Sequence, residues 1–449
     1  MKQTKFTHRH LARILIEAET PIAIGNGEKG ILSDSLVVTD INGLPYIPGT
    51  SLTGVLRHMI DNEAVSSDIF GYQKKNSGAG SKLIITDAIM IGEEGLPMDG
   101  VRRIDFNNPF YKHFKQMPIR QHVRMTEFGT AADKGKFDGQ VAYKGLRFVF
   151  EIELYSTFEK DNNFSSILDL LQDKGFRLGG GTRNGYGKFA VKKIETRSLH
   201  LNETSDMEAY LSKSSSLGCD WGGYSTYKLS ADEKGSAWET FHIELVPTDF
   251  FLFGSGFSDD EADMTPVVED FVEWKDGRPY FVEGTLLPAT SIKGALSHRT
   301  AFYWNKLNNR FADDSNGLTG GNNPAVAALF GTSGEEVDDG RISRGNVLID
   351  DVIIPKLDSK LVNHVAIDRF TGGALDGALF TEKVVYGKDL NVSFDISVCK
   401  KAFDDDMTIR EAFELALKDL KEGMLPLGGG TNRGNGTFLS HLTPKTDNL

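Results

Sequence analysis

Two stretches, PYIPGTSLTGVLRH (45–58) and TLLPATSIKGALSH (285–298), decide how the chain is read. Pro48, Thr50, Ser51, Gly54, Leu56 and His58 recur as Pro288, Thr290, Ser291, Gly294, Leu296 and His298 at a constant offset. Further matches follow in the same order on both sides. IFGY (69–72) and KLIITDAIMI (82–91) match LFGT (329–332) and NVLIDDVII (346–354), and HVRMTEFGT (122–130) matches HVAIDRFTG (364–372). Each half then closes on a glycine run, RLGGGTRNGYGKF (177–189) and LPLGGGTNRGNGTF (425–438). Ordered self-similarity of this kind marks a tandem duplication.

Within each half the pattern reads strand, helix, strands, helix, strand. HLARILIEAET (10–20) and FHIELVPTDFFLF (241–253) read as first strands. Leu52, Val55, Leu56, Met59 and Ile60 fall at helical spacing, with Ser51 as the expected N-cap. FVFEIELY (148–155) and LNVSFDISV (390–398) alternate as half-buried strands, and amphipathic helices follow, ended by Gly175 and Gly423. The expected fold is α+β: two tandem ferredoxin-like (RRM-like) domains, at 1–200 and 239–449, with 201–238 as linker.

Composition narrows the function. The chain has 449 residues, 39% hydrophobic and 25% charged, which suits about two soluble globular domains. No apolar run suits a signal peptide or a membrane span, so no membrane partner and a cytoplasmic location are expected. Cys219 and Cys399 are too few for a disulfide framework or a four-cysteine zinc site, so no zinc is expected. The net charge of −13 opposes nucleic-acid binding on average. However, the acid is clustered, with eight acidic residues against one lysine in 258–277, and a basic groove elsewhere is compatible with it.

The glycine runs admit two readings: tight turns, or peptide N–H groups exposed to a phosphate backbone. Neither run ends in Gly-Lys-Ser/Thr before a helix, so a nucleotide-hydrolysing P-loop is excluded. The paired runs, with Gly179, Gly180, Gly181 and Gly428, Gly429, Gly430, favour the second reading. Thr50, Ser51, Thr290 and Ser291 at the helix starts are further candidates for phosphate contact. Arg57, Arg183, Lys188, Lys293, Arg299 and Arg433 are the candidate cations. His122 and His364, and the acids Asp87 and Asp351, match between halves and read as structural.

The Pro-Gly-Thr-Ser helix start and the terminal Gly-rich loops resemble the RAMP superfamily of CRISPR-associated proteins. GILSDSLVVTDINGLPYIPGTSLTGVLR (30–57) is the most specific part, similar to that of backbone subunits of type III effector complexes, the Csm and Cmr families. A fused double subunit is similar to those of type III-D assemblies. The resemblance implies a filament subunit that binds guide RNA (crRNA), pairs it with a single-stranded target RNA and meets other effector subunits. It implies thumb hairpins, for which 124–139 and 368–380 are the candidates. It also implies metal-dependent endoribonuclease activity, with Mg²⁺ or Mn²⁺ held by a loop aspartate. That residue falls on Asp34, six positions before Asp40. The second half is eleven residues longer here; Asp263 is the nearest match, with Asp259 and Asp260 left open. A purely architectural RNA-binding subunit is one alternative. A guide-processing RAMP endoribonuclease using histidine is another, disfavoured by two complete glycine loops.

Overall fold

The computed structural model describes residues 6–440 except 31–32, 127–129, 219–220, 230–236, 311–317, 333–341, 388–389 and 405. In the first half, strand β1 (His8–Ala18) leads to helix α1 (Gly49–Met59) and the short strand β2 (Leu83–Ile85). A hairpin of β3 (Ile119–Met125) and β4 (Ala131–Gln140) follows. Then come β5 (Arg147–Ser156), α2 (Asn162–Leu170) and β6 (Phe189–His200). The sheet order is β6-β1-β5-β2, all antiparallel. That is the fourth-first-third-second order of a ferredoxin-like unit. Ala12, Ile14 and Ile16 of β1 alternate onto the helix side and pack with Leu52 and Leu56 of α1 and Ile167 and Leu168 of α2.

The stretch 201–238, expected as a linker, does more than connect. Helix α3 (Thr204–Leu211) and strand β7 (Ser225–Thr226) fold back on the first sheet, β7 pairing with β6. Leu217 is buried beside Val149, and the Trp221 ring lies 5.6 Å from the Arg13 guanidinium. Arg13 is itself buried against Glu151 at 3.0 Å.

The second half repeats the plan. Strand β8 (Trp238–Pro247) precedes an added hairpin, β9 (Val268–Lys275) and β10 (Arg278–Leu287). Next come α4 (Ala289–Leu307), β11 (Val347–Ile349) and a second long hairpin, β12 (Ser359–Ile367) with β13 (Ala374–Val385). Strand β14 (Val392–Cys399), α5 (Met407–Lys421) and β15 (Phe438–Leu439) complete it. Its order, β15-β8-β14-β11, is the same fourth-first-third-second. Ile292 and Leu296 occupy the places of Leu52 and Leu56, and all four are fully buried. No helix among the described residues is long and apolar enough to cross a membrane.

Ser51 and Ser291 are not the helix caps. Both helices start after a proline, and their first N–H is taken by a carboxylate from the matched strand end. Asp87 accepts from Gly49 at 2.7 Å and Asp351 accepts from Ala289 at 2.8 Å. A carboxylate there satisfies an orphan donor and suits the positive end of the helix dipole.

The β9–β10 hairpin accommodates the eleven-residue excess, and it joins the halves. Asp276 and Gly277, at φ 51 and 77, make the two-residue turn that a right-twisted hairpin favours. Val272 enters the first half's core, Phe281 stacks on His113 at 3.8 Å, and the Trp274 indole donates to the Gly145 carbonyl at 2.7 Å. A side chain at Gly145 would collide with the Val272 carbonyl. At the centre Arg120 is buried between Glu269 and Asp351, the latter at 3.0 Å. Two acids share one guanidinium. The Arg120 cation is thereby held firmly protonated, and burial pushes the Asp351 carboxyl up to about 6.

Candidate nucleic-acid interface

Each half projects one long hairpin, and a loop aspartate is strapped to its base. In the first half the Asp34 N–H donates to Asp138 Oδ1 at 2.8 Å, and the Asp138 N–H returns to Asp34 Oδ2 at 3.4 Å. In the second, the Asp263 N–H donates to the Thr381 hydroxyl at 3.1 Å, and the Thr381 N–H returns to Asp263 Oδ2 at 2.8 Å. Asp138 and Thr381 are matched in register: each lies one residue past an aromatic, Phe137 or Phe380, that faces the matched histidine, His122 or His364. Asp34 and Asp263 therefore occupy equivalent positions.

Of the two alternatives left open in the second half, Asp259 is otherwise engaged. Asp259 accepts the N–H groups of Glu261 and Ala262 and pairs with Lys383 at 2.5 Å. The hydrogen bond from Lys383, with those two amides, pulls its carboxyl down to about 2. Glu261 pairs with the same lysine at 2.7 Å.

The hairpins are alike in build. Both break register at the same place, between Val123 and Met125 and between Val365 and Ile367. Bulges there add twist and re-aim the tip. The imidazole of His122 stacks on Phe137 at 5.0 Å and that of His364 on Phe380 at 4.7 Å. Phe370, at the second tip, is 99% exposed. Residues 127–129 of the first candidate thumb lie outside the described residues.

Both histidines tie hairpin to glycine loop. His122 Nε2 meets the Tyr186 hydroxyl at 2.8 Å; burial, aided by Arg120, lowers its pKa to about 4 and keeps the ring neutral. His364 Nε2 meets the buried Glu382 at 3.0 Å, and Glu382 also holds Arg433.

The glycine runs serve two purposes at once. Gly179 and Gly428 lie against the Ala23 and Leu252 carbonyls, and Gly187 and Gly436 against the Leu178 and Leu427 carbonyls, where a Cβ would clash. These four sit at positive φ and serve internal packing. Gly180 and Gly429 donate to the same Ala23 and Leu252 carbonyls at 2.7 and 2.6 Å. Between them the N–H groups of Gly181, Thr182 and Arg183, and of Gly430, Thr431 and Asn432, make no hydrogen bond within the described residues. Three successive free amides can cradle an anion.

The candidate cations fare differently. Arg183 donates to the Gly345 carbonyl at 2.8 Å, and burial lowers its pKa to about 10. Lys188 pairs with Glu19 at 3.0 Å and Asp350 at 3.1 Å. Lys293 donates to the Arg183 carbonyl at 3.0 Å, and Arg299 binds Asp419 at 3.2 Å and the Met424 carbonyl at 2.8 Å. With Arg433 on Glu382, five of the six named cations are bonded to protein groups. For these five, acids or main-chain carbonyls of the protein already engage the side chains that the sequence offered to a phosphate. Arg57 is exposed, as is Thr50 at the start of α1; Ser51, Thr290 and Ser291 are half-buried.

Nothing in the sequence signalled that the second half packs on Gly185 at the end of the first glycine loop, while Gly179 to Gly181 stay exposed. Gly185 touches the start of α4, and Arg177 pairs with Asp350 at 2.6 Å. In the second loop Thr431, Asn432, Arg433 and Gly434 are exposed.

Comparison with known proteins matches this doubling. A model of the RAMP superfamily matches residues 15–190 and again 283–438. The CRISPR system Cms endoribonuclease Csm3 of Streptococcus thermophilus is 24% identical over 213 residues, 42% of this chain and 89% of that protein. The protein of the same name from Methanocaldococcus jannaschii is 26% identical over 242 residues, 46% of this chain and 93% of its own length. Each relative is thus about one half of this molecule in extent, while the family pattern runs through both halves, each with a core sheet of the same strand order, a projecting hairpin and a glycine loop: the chain belongs to the RAMP superfamily.

Proposed function

We propose that this chain is a backbone subunit of a type III CRISPR effector, two units fused in one polypeptide, that binds crRNA and cleaves the paired target RNA at Asp34 and Asp263. The similarity to two proteins named endoribonucleases supports the class of activity. The carrying observation is the loop aspartate fastened to a hairpin base in both halves.

RNA brings its own nucleophile, the 2′-hydroxyl. A hairpin entering the duplex displaces a nucleotide, and the exposed Phe370 and the stacked His364–Phe380 pair offer apolar surface for it. The splayed nucleotide lets its 2′-oxygen align with phosphorus and the leaving 5′-oxygen, and orientation of this kind contributes several kcal/mol. The products are a 2′,3′-cyclic phosphate and a 5′-hydroxyl. The free amides of each glycine loop hold the guide backbone, and base pairing chooses the target.

Among the described residues no three His, Cys, Asp or Glu side chains converge into a metal cage. Asp34 beside Asp138, and Asp263 alone, fit a hard divalent cation that takes its other ligands from RNA oxygens and water. When bound, Mg²⁺ or Mn²⁺ supplies charge neutralisation at the phosphate. His122 is held neutral and His364 is paired with Glu382, which weighs against histidine-based guide processing. Asp34→Ala is expected to keep target RNA binding and lose the cut at one position, while EDTA removes all cutting. Full cleavage at every position in Asp34→Ala would sink the assignment.

A further inference from the structure

We infer that Asp138 is a positioning residue that makes the first site hold a divalent cation more tightly than the second; this rests on the reading of Asp34 and Asp263 as cleavage centres. The two junctions share one backbone geometry and differ in chemistry. In the first, each carboxylate accepts the other's main-chain N–H, so two negative charges meet where loop joins hairpin. In the second, the partner is a threonine. Its N–H at 2.8 Å and its hydroxyl at 3.1 Å both donate to the same oxygen of Asp263. Donors on that oxygen occupy its lone pairs and reduce its value to a cation, whereas a neighbouring carboxylate adds to the negative potential.

A holding role alone does not explain Asp138. Thr381 fastens the equivalent loop N–H with a neutral hydroxyl at 3.1 Å, so the fold needs an acceptor there and no charge. The surrounding groups do not restore the balance. Two residues further along the second hairpin, Lys383 neutralises Asp259 and Glu261. At the corresponding place in the first hairpin, the neutral Gln140 side chain accepts the Val37 N–H at 3.0 Å.

The decisive experiment uses the full chain with guide and a target carrying 2′-deoxy nucleotides at the cut positions, so that nothing is cleaved. Mn²⁺ binding is followed by electron paramagnetic resonance, with Asp263→Ala isolating the first site and Asp34→Ala the second. Asp138→Asn keeps the acceptor for the Asp34 N–H and removes the charge; it should weaken first-site Mn²⁺ binding about 10-fold. Thr381→Asp should tighten the second site by a similar factor, and on an all-ribose target the Mg²⁺ needed for half-maximal cutting at each position should move in parallel. Asp138→Thr, which copies the second junction, should reproduce the Asn result. Unchanged Mn²⁺ binding in both Asp138 variants overturns the inference and leaves Asp138 a loop fastener. Cutting that survives Asp34→Ala strikes instead at the underlying function.

Discussion

The two repeats share a scaffold and differ at their edges. In the first, the outer face of the sheet is covered by residues around Leu217, and Gly185 of the glycine loop is packed against the start of α4. In the second, the matching sheet face carries exposed His242 and Asp395, and Thr431 to Gly434 are open. The cations that close the first repeat onto the second are missing from the second repeat itself. Arg120, Arg177, Arg183 and Lys188 correspond to Val362, Pro426, Asn432 and Thr437. Duplication preserved the buried core, which any copy needs, and let the junction residues diverge once each copy had one fixed neighbour.

Breaking the junction should have the largest effect. Arg120→Ala leaves Glu269 and Asp351 buried without their cation and should cost about 3–5 kcal/mol, whereas Val362→Ala at the matched place should cost about 1 kcal/mol or less. Urea unfolding of the two variants compares them directly, and equal losses would undo the contrast. Next come the proposed cleavage centres. Asp34→Ala and Asp263→Ala should each reduce one cut by about 100-fold or more and spare the other, as read on end-labelled target RNA.

A pH series sharpens the comparison further. The Asp351 carboxyl is raised in the folded state to about 6, so the folded form binds its proton more tightly than the unfolded chain does. Its contribution is full below about pH 4 and is lost as pH rises through about 6. Unfolding free energy should therefore fall between about pH 4 and 6 in the wild type and vary less in Asp351→Asn. Asp87→Ala, which removes only the acceptor for the Gly49 N–H, should cost about 1 kcal/mol, the smallest of these effects.

The duplication and the strand order were legible because they rest on local pattern: period-two strands, helical spacing, and short matched motifs. What escaped depends on residues far apart in sequence. Ser51 has the chemistry of a cap, yet Asp87, 38 residues from Gly49, reaches the helix first. The eleven extra residues before Pro288 carry an ordinary hairpin pattern, and nothing in them tells that Phe281 will stack on His113. The partners of Arg183 and Lys188 lie 162 residues away in one case and in the other half in the second. A basic side chain in a glycine loop looks free until the acid or carbonyl that engages it is known.

The wedge of β9 and β10 in the first core has a geometric consequence for the proposed chemistry. With Val272 and Trp274 seated in one repeat and Thr285 and Leu287 continuing into the other, the interval between the two loop carboxylates is a built-in length, like the gap of a caliper. Breaks made by one molecule should fall a constant number of nucleotides apart on every target, whatever its sequence.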